Sequence, residues 1–253
     1  MLKAIALILG AAPAMRGQVA ATPSAPGTAT VDSVPSFQRP NGALMRPGAV
    51  TYALTLARPA GDTVSLGTRT VDVAEASLGG TPSWLIVDAR QGTVLPTTDS
   101  IYLTRADLAP ERWTATIGRA QLGASFTRDS VFGAALGYQG RSSFSLAIPA
   151  NVLVTLGMLE RVLELLPLQE GYHVAASLLF VQGPTPRIVP ADLMVEAADS
   201  LVMPGAVNID AWRVAMHWGA SEARFWVARS GARVVRTEQQ VPEGVLTAVL
   251  STP

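Results

Sequence analysis

Residues 142–167 decide the fold class, because two hydrophobic periods meet within their sequence, SSFSLAIPANVLVTLGMLERVLELLP. In its first part Phe144, Leu146 and Ile148 alternate with small or polar residues. A period of two residues is typical of a β-strand with one buried face. This part therefore predicts a half-buried strand that ends before Pro149.

The second part of this stretch predicts an amphipathic helix over residues 150–166. Its apolar residues recur at helical spacing, and Glu160, Arg161 and Glu164 form a polar stripe. Prolines flank it on both sides, and proline suits a first helical turn but cannot continue a helix. Because the N-terminal half is apolar on most sides, we expect the helix to be covered on most sides, lying across the concave face of a curved sheet.

The period of two also recurs through most of residues 49–253. Clear runs centre on Leu54, Ala115, Ala124, Leu146 and Val214. Turn signals separate the runs, and we expect about eleven strands joined mainly by short antiparallel hairpins. The predicted fold class is mainly β: a curved antiparallel sheet, or incomplete β-barrel, with one helix across its concave face.

The first residues resemble an export signal. Lys3 supplies a positive start, residues 4–12 form an apolar run, and residues 19–21 fit a cleavage site of small residues. The run is shorter than the roughly 20 residues that a membrane-spanning helix needs. We predict a signal peptide over residues 1–21, with an ordinary buried N-terminal helix as the alternative.

The next segment, residues 22–48, predicts a flexible leader. It is rich in Pro, Ser, Gly and Thr and offers little apolar surface to bury. Within it, Phe37, Leu44 and Met45 are the candidates to dock onto the body of the protein. Residues 49–253 are expected to form a single β-rich domain.

Composition excludes several classes of protein. The 253 residues are 49% apolar and 15% charged, the formal net charge is zero, and there is no cysteine. This composition is too apolar for a disordered chain, and it has no basic excess that would suit a nucleic-acid partner. Without cysteine there are no disulfides or thiolate metal sites, and a cysteine-linked lipid anchor is not expected. We expect a soluble bacterial protein, exported to the periplasm, with no transmembrane segment after signal removal.

The sequence contains no recognised catalytic, metal-binding or cofactor-binding motif. The nucleotide-binding, zinc-protease and serine-hydrolase patterns are absent from the sequence. His173 and His217 are the two histidines, and carboxylates such as Asp99 are scattered singly in what read as turn contexts. We predict no catalytic residue, no metal site and no cofactor. Whether the chain is an enzyme stays open, because a site could still be assembled from distant residues.

Three sequence features carry a resemblance to a known family. They are the Leu166–Gly171 segment after the helix, the Val202–Ala206 turn and the Phe225–Arg236 hairpin. Because these features follow one another in this order, the chain resembles the bacterial exported proteins of domain of unknown function 3108, and more loosely the lipoprotein carriers of the Lol system. The resemblance implies a half-barrel with a covering helix, and in the Lol-type carriers that cavity holds acyl chains. It implies no catalytic residue.

The leading hypothesis is therefore a periplasmic binding or carrier protein that shelters a lipid, acyl chain or other apolar molecule between sheet and helix. Eight apolar residues are the predicted ligand-binding set: Trp113, Phe126, Phe144, Leu156, Leu163, Trp212, Met216 and Trp226. A second hypothesis is a structural or protein-interaction module of the cell envelope with a filled core. The third is a hydrolase with a non-locally assembled site.

Overall fold

The computed structural model describes residues 34–92, 96–137, 140–182 and 185–251. The predicted signal peptide, residues 1–21, and the first part of the predicted leader, residues 22–33, lie outside the described residues.

Within the described ranges the strands form one continuous sheet of fifteen. Its strands are β1 (Gly48–Ala57), β2 (Thr63–Leu78), β3 (Thr81–Gly92), β4 (Thr97–Thr104), β5 (Pro110–Ile117), β6 (Ala120–Phe126), β7 (Ser130–Gly137), β8 (Gly140–Ala147), β9 (Val152–Leu153), β10 (His173–Gln182), β11 (Thr185–Met203), β12 (Val207–Trp218), β13 (Ser221–Ala228), β14 (Val234–Val241) and β15 (Gly244–Leu250). From edge to edge the order is β8-β7-β6-β5-β4-β3-β2-β1-β15-β14-β13-β12-β11-β10-β9.

The sheet is curved but not closed. Neighbouring strands pair antiparallel except at the β9–β10 edge, where the pairing is parallel. β1 pairs with β15, which joins the two halves of the chain, and β8 approaches β11 across the remaining opening. The predicted mainly β, incomplete barrel is confirmed. The expected number of about eleven strands is too low. Two of the fifteen strands show no strong period of two, since β9 has two residues and half of β7 is Gly or Ala.

The helix is shorter than predicted. The α-helix α1 spans Leu156–Leu163 rather than 150–166. Before it, Val152 and Leu153 are extended as β9 and pair with β10. Thr155 is extended too, and its side-chain oxygen accepts a hydrogen bond from the Met158 amide at 3.0 Å. This N-cap starts the helix about one and a half turns later than the apolar spacing indicates.

Residues 34–48, which we call the strap, cross one end of the barrel. The Phe37 amide donates to the Ala175 carbonyl of β10 at 2.7 Å, the Ala175 amide donates to the Pro35 carbonyl at 2.8 Å, and Phe37 is 1% exposed. Further along, the Trp84 indole donates to the Gly42 carbonyl at 3.0 Å, and Met45 is buried. Leu44, by contrast, is 53% exposed. This part of the predicted leader thus packs on the domain through two of its three candidate apolar residues.

Candidate functional site

The face of the sheet that α1 covers, called the inner face, is defined by strand register. Tyr52 on β1 lies opposite Arg69 on β2, and Val71 on β2 lies opposite Asp88 on β3. Alternate residues of each strand share this face. It contains most of the buried apolar core, and it also contains a group of charged side chains.

A buried ionic cluster joins the helix to the inner face. The Arg69 guanidinium donates two hydrogen bonds to Asp88, from Nε at 2.8 Å and from Nη2 at 2.6 Å. Its third nitrogen, Nη1, donates to Glu160 of α1 at 2.5 Å. All three side chains are buried, and Glu160 is 0% exposed. Glu160 and Arg161, two residues of the predicted polar stripe, therefore face the sheet and not the solvent.

The electrostatics of this cluster follow from the pairing. Burial alone would raise the pKa of Asp88, but the Arg69 guanidinium outweighs it and holds the pKa below the usual range. The second oxygen of Glu160, Oε2, has no hydrogen-bond partner among the described residues. Gly157 faces Asp88, where an added Cβ would lie 3.2 Å from the Asp88 Cβ, so glycine allows α1 to approach β3 closely.

A second polar group fastens the C-terminal end of α1. The Tyr52 hydroxyl accepts from Arg161 Nη2 at 3.1 Å and donates to the Val234 carbonyl at 3.0 Å. Glu164 accepts from the Val234 amide at 2.9 Å and forms a salt bridge with Arg161 at 3.0 Å. Burial raises the pKa of Glu164 to about 7. Together the two polar groups hold α1 directly against β1, β2, β3 and β14.

Asp99 provides a further titratable group on the inner face. It lies in β4 opposite Asp88, rather than in the turn that the sequence indicated. Burial raises its pKa to about 6, and the negative charge of Asp88 adds to the shift. Asp99 is half-buried and therefore borders the charged and the apolar parts of the inner face.

The inner face of β5–β8 is apolar and less covered than the centre of the sheet. Register places Trp113, Ala124, Gly133 and Phe144 in one row across the four strands. The Phe144 ring lies over Gly133, where a built Cβ would come within 2.8 Å of the ring. Four apolar side chains of this face are only half-buried: Leu122, Phe126, Phe144 and Leu146. The corresponding isoleucines of β3 and β4 are fully buried.

A cavity of about 870 Å³ opens beside the strap and reaches this apolar face. Its apolar wall includes Phe37, Phe126 and Ile148. Four charged side chains complete the lining: Arg39, Asp107, Glu111 and Arg128. The cavity thus joins an apolar wall to a polar rim with two charges of each sign.

The structure brings together three of the eight predicted ligand-binding residues. Trp113, Phe126 and Phe144 share the inner face of β5, β6 and β8. Leu163 and Met216 are buried in the core, and Leu156 is half-buried at the start of α1.

The two remaining tryptophans of the predicted set lie elsewhere. Trp212 is on β12 with the Arg229 guanidinium 4.6 Å from its ring centroid. Trp226 does not line the interior, because it pairs with Arg213 and Arg236 on the outer face of the sheet. Its indole nitrogen donates to Asp199 at 2.8 Å.

The ionic cluster was missed by the sequence analysis, although a signal was present. Arg69 shares strand parity with Val71 and Val73, and Asp88 with Ile86. A charged residue within an apolar alternation must either break the strand pattern or be buried with a partner. Since Arg69 and Asp88 carry opposite charges on neighbouring strands, the sequence could have predicted that they pair. It could not have predicted the third partner, Glu160, which belongs to α1.

Both histidines lie on the outer face, each beside a carboxylate. His173 Nε2 is 3.7 Å from Asp192, and His217 Nδ1 is 3.4 Å from Glu222. In the described ranges no group of three or more His, Cys, Asp or Glu side chains could hold a metal ion. Nor does this part of the chain contain a helix that is long and apolar enough to cross a membrane.

Comparison with known proteins gives a likeness of fold. No protein-family model and no curated protein matches the chain. A crystal structure of a β-barrel-like protein of domain of unknown function 1849 from Brucella abortus is similar, with 11% identity and a TM-score of 0.55 over 85% of this chain and 97% of that one. The hypothetical lipoprotein YmcC from Escherichia coli aligns at 11% identity with a TM-score of 0.31, over 82% of this chain and 85% of its own. The first of these confirms a β-barrel-like architecture, whereas membership of domain of unknown function 3108 is not shown.

Proposed function

We propose that this protein is a non-enzymatic binding or carrier protein of the bacterial cell envelope that shelters an apolar or amphiphilic ligand, such as a lipid or acyl chain. The observation that carries the proposal is the half-buried apolar inner face of β5–β8. In the centre of the sheet α1 covers the same face, whereas here no described helix does so. Leaving this apolar surface uncovered has a free-energy cost that a ligand would remove.

The position of the ligand differs from the sequence-based hypothesis. Between α1 and the centre of the sheet, buried side chains such as Met158 and Val162 and the Arg69 cluster are in direct contact with their neighbours. We therefore place the ligand beside the helix, against the row that contains Trp113 and Phe144. The adjoining cavity of about 870 Å³ lies within the range usual for small-molecule sites.

The chemistry of the cavity favours an amphiphile over a pure hydrocarbon. An acyl chain would contact Phe126 and Ile148, and a polar headgroup would meet the charged rim, where Arg39 and Arg128 are lining residues. The Arg39 Nε is buried without a hydrogen-bond partner among the described residues, so it offers an unused donor. These features support a fatty acid or a related single-chain lipid as the first ligand to test.

Binding of cis-parinaric acid tests the proposal, because energy transfer from Trp113 on the same face would report a bound chain. The variant Phe144→Ser removes an apolar side chain from the inner face. The matched control is Phe132→Ser on the neighbouring strand, where Phe132 is 49% exposed on the outer face. We expect weaker binding for the first variant and unchanged binding for the control. Equal affinity of all three proteins, or no binding at all, would refute the proposal.

Export to the periplasm is a separate part of the proposal and rests on the sequence of residues 1–21. It predicts that the protein recovered from the periplasmic fraction begins after Ala21. N-terminal sequencing of that protein decides the question, and an intact N-terminus in the cytosolic fraction contradicts it.

A protein-interaction role is the second candidate, and a groove on the outer face favours it. The groove has a volume of about 620 Å³ and contains two half-exposed apolar side chains, Phe132 and Leu136. Arg112 and Arg141 also line the groove, and its described lining residues include no Asp or Glu. A partner with an apolar, acidic surface would fit this face. Capture of an envelope protein that is lost in Phe132→Ser, with lipid binding retained, would favour this role.

A further inference from the structure

A smaller cavity, of about 310 Å³, lies against the C-terminal part of the strap and shares no lining residue with the cavity of about 870 Å³. Its walls come from the strap and the start of β1, the C-terminal end of α1, and the turn between β13 and β14. Three arginines line it, Arg46, Arg161 and Arg233, together with one carboxylate, that of Glu164. Each arginine comes from a different element of the fold.

Arg161 is the fixed member of the three. Its side chain is 7% exposed and is held by Glu164 and by the Tyr52 hydroxyl. Its Nε has no hydrogen-bond partner among the described residues. A guanidinium that is buried and positioned in advance loses little conformational entropy when an anion binds.

The other two arginines are exposed and carry uncompensated charge. Arg46 donates to the backbone carbonyls of Ala43 and Met45, both at 3.1 Å, and forms no salt bridge with a described residue. The Arg233 side chain forms neither a hydrogen bond nor a salt bridge within the described ranges, although its backbone carbonyl accepts from the Ala228 amide. Glu164 attracts Arg233 as well as Arg161, but its single negative charge cannot balance three guanidinium groups.

An excess of arginine together with a buried guanidinium distinguishes this cavity from the other two. The cavity of about 870 Å³ has two arginines and two carboxylates. The outer-face groove has two arginines, but both are exposed, and neither is held in place by a buried partner. The 310 Å³ cavity combines an excess of arginine with a buried and oriented guanidinium.

We propose that this cavity binds the phosphate group of a small phosphorylated solute or of a lipid headgroup. Guanidinium groups that converge from three elements suit the tetrahedral oxygens of phosphate better than the two coplanar oxygens of a carboxylate. The volume exceeds that of the ion alone and leaves room for the group that the phosphate is attached to. The site is separate from the apolar face and does not depend on the proposed lipid-binding function.

Glu164 makes anion binding pH-dependent. It faces Arg161, Arg233, Glu160, Tyr52 and the Val234 amide. Burial raises the pKa of Glu164 to about 7, so it loses its negative charge as the pH falls through this value. Loss of that charge removes its repulsion of a bound anion and makes the Arg161 Nη1 available to the anion, while the Tyr52 hydroxyl still holds Nη2.

Calorimetric titration with inorganic phosphate at low salt tests the site. The double variant Arg46→Gln/Arg233→Gln removes two exposed arginines, and Arg58→Gln is the matched control, since Arg58 is exposed in the β1–β2 turn and pairs with Asp62. We expect saturable binding to the parent and the control, and binding weaker by roughly tenfold or more in the double variant. Thermal unfolding checks that all three proteins remain folded.

Vesicle flotation separates the two sources of phosphate. Binding to phosphatidylglycerol vesicles but not to phosphatidylcholine vesicles, lost in the double variant, identifies a lipid headgroup. Binding of free phosphate without flotation identifies a soluble ligand. The proposal is overturned when neither probe binds, or when the double variant binds as the parent does.

A pH series with sulfate gives an independent readout, because the charge of sulfate stays constant between pH 6 and 8. The parent should bind sulfate more tightly at the lower pH, and Glu164→Gln should bind it with little pH dependence. The same pH dependence in parent and variant would show that Glu164 does not act on the site.

Discussion

Replacing Arg69 by methionine is the sharpest test of how the helix is held. Methionine replaces the apolar stem of the side chain but lacks the guanidinium, so it removes three hydrogen bonds, two to Asp88 and one to Glu160. Both carboxylates would then be buried without a cation, since Asp88 is 4% exposed and Glu160 0%. We expect the Arg69→Met variant to fold with a large loss of stability.

The magnitude follows from the burial of the two carboxylates. Breaking a buried ion pair by removing one partner typically costs about 3–5 kcal/mol, because the remaining charge is uncompensated. An exposed pair such as Arg58–Asp62 contributes about 0–1 kcal/mol. For a domain of this size, a loss of about 3–5 kcal/mol corresponds to a fall in Tm of roughly 6–20 °C.

Urea unfolding followed by tryptophan fluorescence measures the effect, with Arg58→Met as the control. The loss of unfolding free energy in Arg69→Met, relative to the parent, should be smaller at pH 4 than at pH 7. In the parent the Arg69 guanidinium holds the pKa of Asp88 below its usual range, so Asp88 stays ionised and paired throughout this window. In the variant the unpaired carboxylates have raised pKa values, so their cost is relieved as they take up protons.

A triple variant completes this experiment. Replacing Arg69, Asp88 and Glu160 together by Met, Leu and Leu removes all the buried charge, and apolar replacements of such clusters are often neutral or stabilising. We therefore expect it to be more stable than Arg69→Met alone. A single variant as stable as the Arg58→Met control, or a loss of stability that does not vary with pH, would refute the reasoning.

Three further predictions concern single side chains. The Glu164→Gln variant should gain stability relative to the parent as the pH rises through about 7. The folded-state pKa of Glu164 is raised, so its ionisation opposes folding in the parent. Urea unfolding at pH 5 and pH 8 measures the difference in stability between the two proteins, and a difference that is the same at both pH values contradicts this prediction. Phe37→Ala should lose about 3–5 kcal/mol of unfolding free energy, whereas Leu44→Ala, at the exposed strap position, should lose less than about 1 kcal/mol, and equal losses would show that the strap is not anchored through Phe37. Gly133→Ala should lower Tm because the Phe144 ring and the Gly123 carbonyl leave no room for a methyl group, while Gly137→Ala, with open space around it, should not.

The strand architecture was predictable because it depends on a local signal. Runs such as Trp212 to Trp218 alternate strictly, and the structure makes this run part of β12. The helix was predictable in kind but not in length. The apolar residues Val152 and Leu153 fit a buried helix and a buried strand equally well, and pairing with the distant β10 decides between them.

The candidate site was predictable only in part, and the reason is again sequence distance. Trp113, Phe126 and Phe144 come from consecutive hairpins, so alternation alone places them on one face. Trp226 also lies in a strand, but a register shift beside Val227 and the pairing with Arg213 fix its face, and neither is visible in the sequence. Helical spacing placed Glu160 in a polar stripe, but it shows only which residues share a side of the helix and not which side faces the core.

The ionic cluster and the open apolar face are two consequences of how α1 is fixed. Apolar contacts are non-directional, so a short helix held by them alone could occupy several positions along a curved apolar face. The three hydrogen bonds of Arg69 and the close approach at Gly157 specify one position, over β2 and β3. With eight residues, α1 is about 12 Å long and spans only a few strands at their spacing of about 4.8 Å. A helix fixed over β2 and β3 therefore leaves the apolar inner face of β5–β8 without a helix over it, and a ligand would bind there without displacing α1.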